Sequence, residues 1–205
     1  MGSSKVELGI HYWPLRHLPP KGVPAFAQQL EAAGIDWFAT FDQLVGFLPQ
    51  SKWIPEVTEW ANVVTDPHSF HDSRLIAAIA AAATDKLGVT TTSDAIRNGP
   101  AELLQSMLTL ASINNGRTSM QLGAGEMKQM KSFGYKRSEG LARMEDMLRI
   151  IGKLMNADGP ISYQGNFWTY ENTFIGAERP LMLPEFWALG GGPKLIDLAT
   201  SYADG

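Results

Sequence analysis

The chain of 205 residues contains no cysteine, which excludes disulfides, thiolate nucleophiles and cysteine–zinc sites. No stretch reaches the roughly 18 consecutive apolar residues that a membrane-spanning helix needs. The first residues, Met1 to Lys5, lack the apolar core of a signal peptide. Basic runs are also missing, and the net charge is −4 with a pI near 5.6. We therefore expect a cytoplasmic protein whose main partner is neither a membrane nor a nucleic acid.

Histidines are few, and their spacing does not indicate a metal site. Only four occur, and His68 and His71 lie in or near an irregular stretch. A metal-dependent barrel hydrolase would need paired histidines at the end of its first strand, where the sequence has His11-Tyr12-Trp13. We therefore expect no metal.

Apolar residues make up 44% of the sequence, enough for one sizeable core, and their periodicity indicates alternating strands and helices. Gly34 stands where a glycine commonly ends a helix, and Pro100 where a proline commonly opens one. The second helix is expected to turn Leu75, Ile76 and Ile79 toward the core. We predict strands at 6–11, 37–41, 86–92, 120–122 and 184–189, and helices at 23–33, 73–83, 100–113, 138–156 and 194–201.

Three segments interrupt this alternation. A long loop spans residues 44–72, a polar loop spans 128–137, and an insertion of about 157–183 contains a β-hairpin at 161–170. Long connections in compact domains are usually functional, as lids or binding loops.

Five strand–helix units predict an α/β fold with parallel strands and right-handed crossovers. A doubly wound open sheet and a (β/α)8 TIM barrel both fit this order. A barrel needs about 250 residues and eight units, whereas Tyr202-Ala203-Asp204-Gly205 resembles the approach to a sixth strand. We interpret residues 1–205 as a single barrel domain, truncated after about five units, with a hairpin before the fifth strand.

Polar and small residues follow the predicted strands, and the carboxyl ends of parallel strands are where ligands bind in both architectures. The Gly123-Ala124-Gly125 turn would let a flat ligand approach the backbone and delivers the carboxylate of Glu126 beside it. Gly190-Gly191-Gly192 leads into a helix, so its backbone N–H groups could bind a phosphate. The residues collected at these ends are Trp13, Asp42, Gln43, Thr90 to Asp94, Gly125, Glu126 and Gly190 to Gly192.

The Gly123-Ala124-Gly125 turn also permits a rival interpretation, the glycine-rich motif of a methyltransferase or dinucleotide fold. Met127 and Lys128 stand where a third glycine would be expected. Three strand–helix units precede the turn, whereas that motif normally opens its sheet. This interpretation is therefore the weaker one.

Several short motifs occur together and in order along nearly the whole chain. They are Phe38 to Leu44, Leu87 to Pro100, Gly116-Arg117, Leu122 to Glu126, Phe133-Gly134, Arg143 and Tyr202 to Gly205. Together they resemble the luciferase-like flavin and deazaflavin oxidoreductase superfamily, and most of all its reductases and dehydrogenases that use the deazaflavin coenzyme F420. That family has a (β/α)8 barrel, so the resemblance also implies that the chain is the N-terminal part of a barrel.

The resemblance implies roles for the matched positions. Asp42 and Gln43 would lie near the polar edge of the cofactor ring, and Gly190 to Gly192 would contact its phosphate. Thr90 and Thr91 would be joined by a non-proline cis peptide bond against the ring. Gly125 and Glu126 would border the reacting carbon, with Glu126 and Asp42 as the catalytic candidates.

One position departs from the family pattern. Many relatives carry histidine after the strand-two aspartate, whereas this chain has Gln43, which cannot transfer a proton at neutral pH. A general acid would then be Glu126, a residue of the first loop such as His11, or a group outside the chain.

The resemblance implies hydride transfer between coenzyme F420 and a small organic substrate, in a protein that is a homodimer at full length. The first alternative is an FMN-dependent monooxygenase that uses reduced flavin and O2. A further alternative is an inactive fragment, or a half barrel completed by a partner.

Overall fold

The computed structural model describes residues 6–12 and 19–205. The described strands are β1 (Gly9–Tyr12), β2 (Trp37–Thr40), β3 (Gly88–Asp94), β4 (Thr118–Gly123), β5 (Ile161–Gln164), β6 (Thr169–Thr173) and β7 (Glu185–Leu189). The described α-helices are α1 (Val23–Ala32), α2 (Ser73–Ala82), α3 (Pro100–Ile113), α4 (Met127–Lys131), α5 (Gly140–Asn156) and α6 (Pro193–Tyr202). Short 3-10 helices occur at Pro20–Gly22, Gln50–Lys52, Glu59–Asn62 and Arg137–Glu139.

Five of the strands form one parallel sheet in the order β1-β2-β3-β4-β7. β5 and β6 form a separate antiparallel hairpin that precedes β7. The predicted α/β class and the hairpin before the fifth strand of the sheet are therefore confirmed. The chain divides into two compact units, residues 1–91 and 92–205, and the single domain expected over 1–205 stays a prediction.

In the first unit, helix α1 buries one face and ends as its glycine predicts. Val23, Ala27 and Leu30 are spaced three and four residues apart and are buried. After the helix, Gly34 adopts a φ of +79°. Its N–H and that of Ile35 donate to carbonyls of the last turn at 3.0 Å each, a Schellman ending that glycine permits without strain.

In the second unit, β4 and β7 are covered by helices α3, α5 and α6, and methionine contributes much of the core. Met107, Met120, Met130, Met144 and Met147 are all fully buried. The flexible thioether side chain fills irregular gaps between elements that leucine would fill less well.

Three expectations from the sequence are wrong. Leu75 is 67% exposed, because the inner face of α2 is built by Ile76 and the alanines beside it. Residues 128–137 are not a loop throughout, since α4 occupies their first part. All peptide bonds of the described residues are trans, so the expected cis bond between Thr90 and Thr91 is absent.

A buried carboxylate attaches the hairpin to α5. Asp146 is 4% exposed and accepts hydrogen bonds from the Tyr163 hydroxyl at 3.1 Å and from the backbone N–H of Phe167 at 2.8 Å. A Cβ at Gly165 would lie 2.5 Å from Asp146 Oδ2, so this turn needs glycine for space. The guanidinium of Arg143 covers the Phe167 ring at 4.4 Å. The insertion is therefore packed onto α5.

The contact between Tyr163 and Asp146 predicts that the free energy of unfolding depends on pH in the alkaline range. Burial raises the pKa of Tyr163 to about 12, and the hydrogen bond and charge of Asp146 contribute to the same shift. Between pH 10 and 12 the folded protein therefore keeps a proton that the unfolded chain has released, and the free energy of unfolding should fall across that window as pH rises. Ultraviolet titration of the wild type against Tyr163→Phe should show the Tyr163 phenolate forming near pH 12, and Asp146→Asn should lower that midpoint. A Tyr163 midpoint near pH 10 in the wild type would contradict the described contact.

Candidate functional site

In the first unit, the carboxyl ends of β2 and β3 lie side by side. The parallel register pairs Ala39 with Thr90 and Thr40 with Thr91. Asp42 and Gln43 follow directly after β2, so the structure brings them to the same edge of the sheet as the two threonines.

The two adjacent threonines point to opposite faces and differ in their bonding. Thr91 Oγ1 donates to the Ser73 hydroxyl of α2 at 2.8 Å, and Thr40 Oγ1 donates to the Ser73 carbonyl at 3.1 Å. Thr90 is 7% exposed, and its Oγ1 has no hydrogen-bond partner among the described residues. The hydroxyl groups of Thr40 and Thr91, on the side of the sheet that faces α2, are therefore hydrogen-bonded. The Thr90 hydroxyl, on the other side, is buried and has no bond among the described residues.

Gln43 presents a second polar atom of this kind. Its side chain is partly buried, and Oε1 is inaccessible to solvent without a hydrogen-bond partner in the described part of the chain. Buried polar atoms are nearly always paired in proteins. Gln43 Oε1 and Thr90 Oγ1 are therefore two buried, unpaired polar atoms at neighbouring strand ends.

Aromatic rings flank the end of β2. The imidazole of His11, on β1, stacks on the Phe41 ring with centroids 4.5 Å apart and planes 7° apart. His11 is exposed. Trp13, also expected at this edge, lies outside the described residues.

The long connection after β2 folds back on itself. The N–H of Gly46 donates to His68 Nδ1 at 2.9 Å, and a Cβ at Gly46 would lie 2.3 Å from the Pro67 carbonyl oxygen. His68 therefore joins the two ends of the loop. Over residues 6–12 and 19–205, no group of three or more histidine, aspartate or glutamate side chains is placed to hold a metal.

In the second unit, the carboxyl ends of β4 and β7 are neighbours, since Gly123 pairs with Leu189. Gly125 follows β4 with a φ of +85°, and a Cβ there would approach Ile96 Cδ1 to 3.0 Å and Met130 to 3.3 Å. Both the backbone conformation and the space require glycine at this turn.

The carboxylate of Glu126 caps helix α4. Its Oε2 accepts from the N–H of Lys128 at 2.8 Å and from that of Gln129 at 3.2 Å. Glu126 is exposed, and its Oε1 accepts no hydrogen bond from the described residues. One oxygen thus positions the side chain and the other stays open to a ligand.

Gly190, Gly191 and Gly192 connect β7 to α6. Gly190 has a φ of +146°, and nothing lies within 4 Å of a Cβ built on either of the other two. Gly192 is the N-cap of α6 and provides no side-chain cap. Pro193 has no N–H, and the N–H groups of Leu195 and Ile196 donate to the Gly192 carbonyl at 2.9 and 3.0 Å. The N–H of Lys194 is therefore what the first turn of this helix offers to an anion.

An ion pair between Asp94 and Arg97, at the end of β3, was not predicted from the sequence. Asp94 accepts from the backbone N–H of Ile96 and of Arg97 at 2.9 Å each, and its other oxygen meets Arg97 Nε. The two side chains are only 6% and 9% exposed. The sequence pattern that could have indicated this pair is an aspartate at the end of a strand followed by an arginine three residues later. The pair fixes the loop after β3, and Asn98 adds a bond to Ser93 at 3.0 Å.

No helix in the described part of the chain is long and apolar enough to cross a membrane. Within the first unit, the unpaired side-chain atoms after β2 and β3 are of the kind that the polar edge of a flat ring would pair with.

The chain is similar to several known proteins. It is 27% identical over 107 residues to a 5,10-methylenetetrahydromethanopterin reductase of Archaeoglobus fulgidus, covering 52% of this chain and 31% of that protein. It is 29% identical over 122 residues to an F420-dependent hydroxymycolic acid dehydrogenase of Mycobacterium tuberculosis, covering 58% of this chain and 33% of that protein. A solved F420-dependent secondary alcohol dehydrogenase superposes with a TM-score of 0.76 at 23% identity, covering 98% of this chain and 57% of that one.

These matches show what this chain shares with larger proteins. The aligned region is about a third of each relative, and the superposition covers 57% of the solved chain. The structural likeness confirms that the fold corresponds to about half of a TIM-barrel enzyme. The profile of the luciferase-like monooxygenases matches residues 11–205, and the chain belongs to that family.

Proposed function

We propose that this protein transfers a hydride between the deazaflavin coenzyme F420 and a small organic substrate. The observation that carries the proposal is the pair of buried, unpartnered atoms, Gln43 Oε1 and Thr90 Oγ1, at neighbouring strand ends. Leaving such an atom unpaired costs about 1–3 kcal/mol, and the ring edge of a bound coenzyme would satisfy both. The relative from Mycobacterium tuberculosis is an F420-dependent dehydrogenase, which favours the deazaflavin.

When bound, the coenzyme supplies a ring carbon that accepts or gives the hydride. Gln43, Thr90 and Asp42 would hold the polar edge of the ring. As the resemblance implies, Gly190 to Gly192 would hold the phosphate, together with the N–H of Lys194 in the first turn of α6. The resemblance implies that Gly125 borders the ring; the space on its Cβ side is filled by Ile96 and Met130, so a ring would meet this turn from another side.

Proton transfer needs a titratable side chain with an atom that a ligand can reach. Gln43 cannot carry a proton between its neutral and charged forms, so the position occupied by histidine in many relatives has no acid here. Glu126 has an open Oε1, and His11 is exposed on β1. We assign the proton to Glu126, whose carboxylate the α4 cap holds in one orientation.

The second candidate function is an FMN-dependent monooxygenase. The same two orphaned atoms support it, since a flavin ring also carries hydrogen-bonding groups along its edge. By the resemblance, the full-length protein would be a homodimer that acts on a small organic substrate. An inactive or partner-completed half barrel would leave both cofactors unbound.

The proposed function is tested by a fluorescence titration with coenzyme F420 and with FMN, using Thr90→Val and its neighbour Thr91→Val. Thr90→Val removes an unpaired hydroxyl, so the Kd for F420 should rise about tenfold while stability stays equal or increases. Thr91→Val removes the bond to Ser73, so the free energy of unfolding should fall by about 1 kcal/mol while the Kd stays unchanged.

The outcomes separate the candidates. Binding of F420 in preference to FMN supports hydride transfer, and preference for FMN supports the monooxygenase. Equal effects of the two valine substitutions on the Kd would contradict the assignment of Thr90 to the ring edge. Binding of neither cofactor would overturn the proposed function.

A further inference from the structure

The loop after β3, residues 94–98, is held by a buried ion pair to which the proposed function gives no role. Asp94 accepts hydrogen bonds from the backbone N–H groups of Ile96 and Arg97 at 2.9 Å each, and its second oxygen pairs with Arg97 Nε. The side chains of Asp94 and Arg97 are only 6% and 9% exposed. The Asp94 carboxylate therefore fixes both the backbone of the loop and the arginine side chain that extends from it.

A buried ion pair of this kind contributes more to geometry than to stability. The cost of removing both charges from water offsets much of their mutual attraction, so the net contribution to the free energy of unfolding is small. The hydrogen bonds between a carboxylate and a guanidinium are strong and have defined directions. The pair between Asp94 and Arg97 is therefore suited to holding the loop in one conformation.

The loop that this pair holds contacts the turn that precedes Glu126. The N–H of Ala95 donates to the Gly123 carbonyl at 3.3 Å. Ile96 packs against Gly125, since a Cβ at Gly125 would lie 3.0 Å from Ile96 Cδ1. Glu126 is the next residue of the chain, so the position of the loop determines where the Glu126 side chain begins.

From these contacts we infer that Asp94 and Arg97 are positioning residues for Glu126, and that they act through the loop after β3. The inference rests on the proposed function, because it takes Glu126 as the residue that transfers the proton. Glu126 is exposed, and its carboxylate is held only at Oε2, by two N–H groups of α4. A displacement of the turn would therefore move its open oxygen while the fold stays intact.

The test removes both charges of the pair, so that neither stays buried alone. Asp94→Asn/Arg97→Gln keeps the net charge of the chain, and the asparagine oxygen can still accept from the N–H groups of residues 96 and 97. The matched control is Glu145→Gln/Arg149→Gln, which removes an ion pair of 2.7 Å on α5 whose two side chains are each 40% exposed. Thermal melting verifies that both variants are folded.

Amide hydrogen exchange, measured by NMR, reports the position of Glu126 without any cofactor. The N–H groups of Lys128 and Gln129 donate to Glu126 Oε2, which protects them from exchange. In Asp94→Asn/Arg97→Gln they should exchange about tenfold faster, the effect of losing one hydrogen bond, whereas Leu148 inside α5 should keep its wild-type rate. Exchange at Lys128 and Gln129 that is as slow as in the control would overturn the inference.

Turnover gives a second readout, with reduced coenzyme F420 and acetone as the probe substrate. Asp94→Asn/Arg97→Gln should lower kcat about tenfold without changing the Kd for the coenzyme, because a misplaced catalytic group slows the reaction and not the binding. In a Glu126→Gln background the same double substitution should cause no further loss, since it acts only through Glu126. A tenfold loss in both backgrounds would show that the pair acts on another group, and the inference would be wrong.

The two readouts distinguish failure of the inference from failure of the proposed function. If the wild type binds coenzyme F420 and the pair variant behaves like the control, the inference fails and the proposed function stands. If the wild type does not bind the coenzyme, the proposed function fails, and the exchange rates alone decide whether the pair holds Glu126. The exchange rates also decide if the wild type binds the coenzyme but does not reduce acetone.

Discussion

Glu126→Gln is expected to lower turnover with coenzyme F420 by about a hundredfold or more, the usual contribution of a positioned general acid or base. The change should leave the cofactor Kd and the melting temperature near their wild-type values. We expect this result because the two carboxylate oxygens of Glu126 have different roles. Oε2 caps α4 through Lys128 and Gln129, and the glutamine oxygen can still accept those bonds, but the amide cannot transfer a proton.

Glu126→Ala provides the comparison that separates chemistry from capping. It removes both oxygens, so it should add a loss of about 1 kcal/mol in stability, the typical contribution of an N-cap. Steady-state kinetics and thermal melting of both variants give the answer. Near-normal turnover in Glu126→Gln, with a parallel loss of turnover and stability in Glu126→Ala, would show that Glu126 is only a cap.

Gly140→Ala is expected to lower the free energy of unfolding by roughly 3 kcal/mol or more, within the range of severe overpacking. The backbone at Gly140 has an ordinary helical φ of −56°, so conformation does not demand glycine there. Space does, because the new methyl group would lie 1.8 Å from the Ala124 carbonyl oxygen. A backbone oxygen cannot rotate away as a side chain can, so β4 and α5 would have to separate.

Gly152→Ala is the matched control on the same helix. Nothing lies within 4 Å of a Cβ at Gly152, and alanine is favoured over glycine inside helices by roughly 0.5–1 kcal/mol. Denaturant unfolding of the two variants should therefore give shifts of opposite sign. A shift of the same sign and size in both would show that the contact between Gly140 and Ala124 does not restrict the fold.

Helices and turns that are specified by neighbouring residues in the sequence were predicted well. The helix at Pro100–Ile113 has the predicted bounds, because its opening proline, its apolar spacing and the following Asn-Gly turn all act within one segment. The ending of α1 at Gly34 and the hairpin before β7 were predictable for the same reason.

The candidate site was only partly predictable. Parallel strand ends converge by topology, so Asp42, Gln43 and Thr90 could be named from strand order alone. The period of two also places Thr90 and Thr91 on opposite faces. Sequence could not indicate which of the two hydroxyls Ser73 would engage, since that depends on how α2 packs on the sheet.

The sequence by itself therefore determined the order of strands and helices, the family, and the edge of the sheet that carries the polar residues. These follow from periodicity and turn chemistry, which are properties of neighbouring residues. Only the tertiary structure decided that Leu75 faces solvent, that Glu126 caps a helix, and that Gly140 meets Ala124. Those outcomes depend on how close segments come in space when they are separated in the sequence or when the chain reverses its direction. Tertiary packing sets that distance.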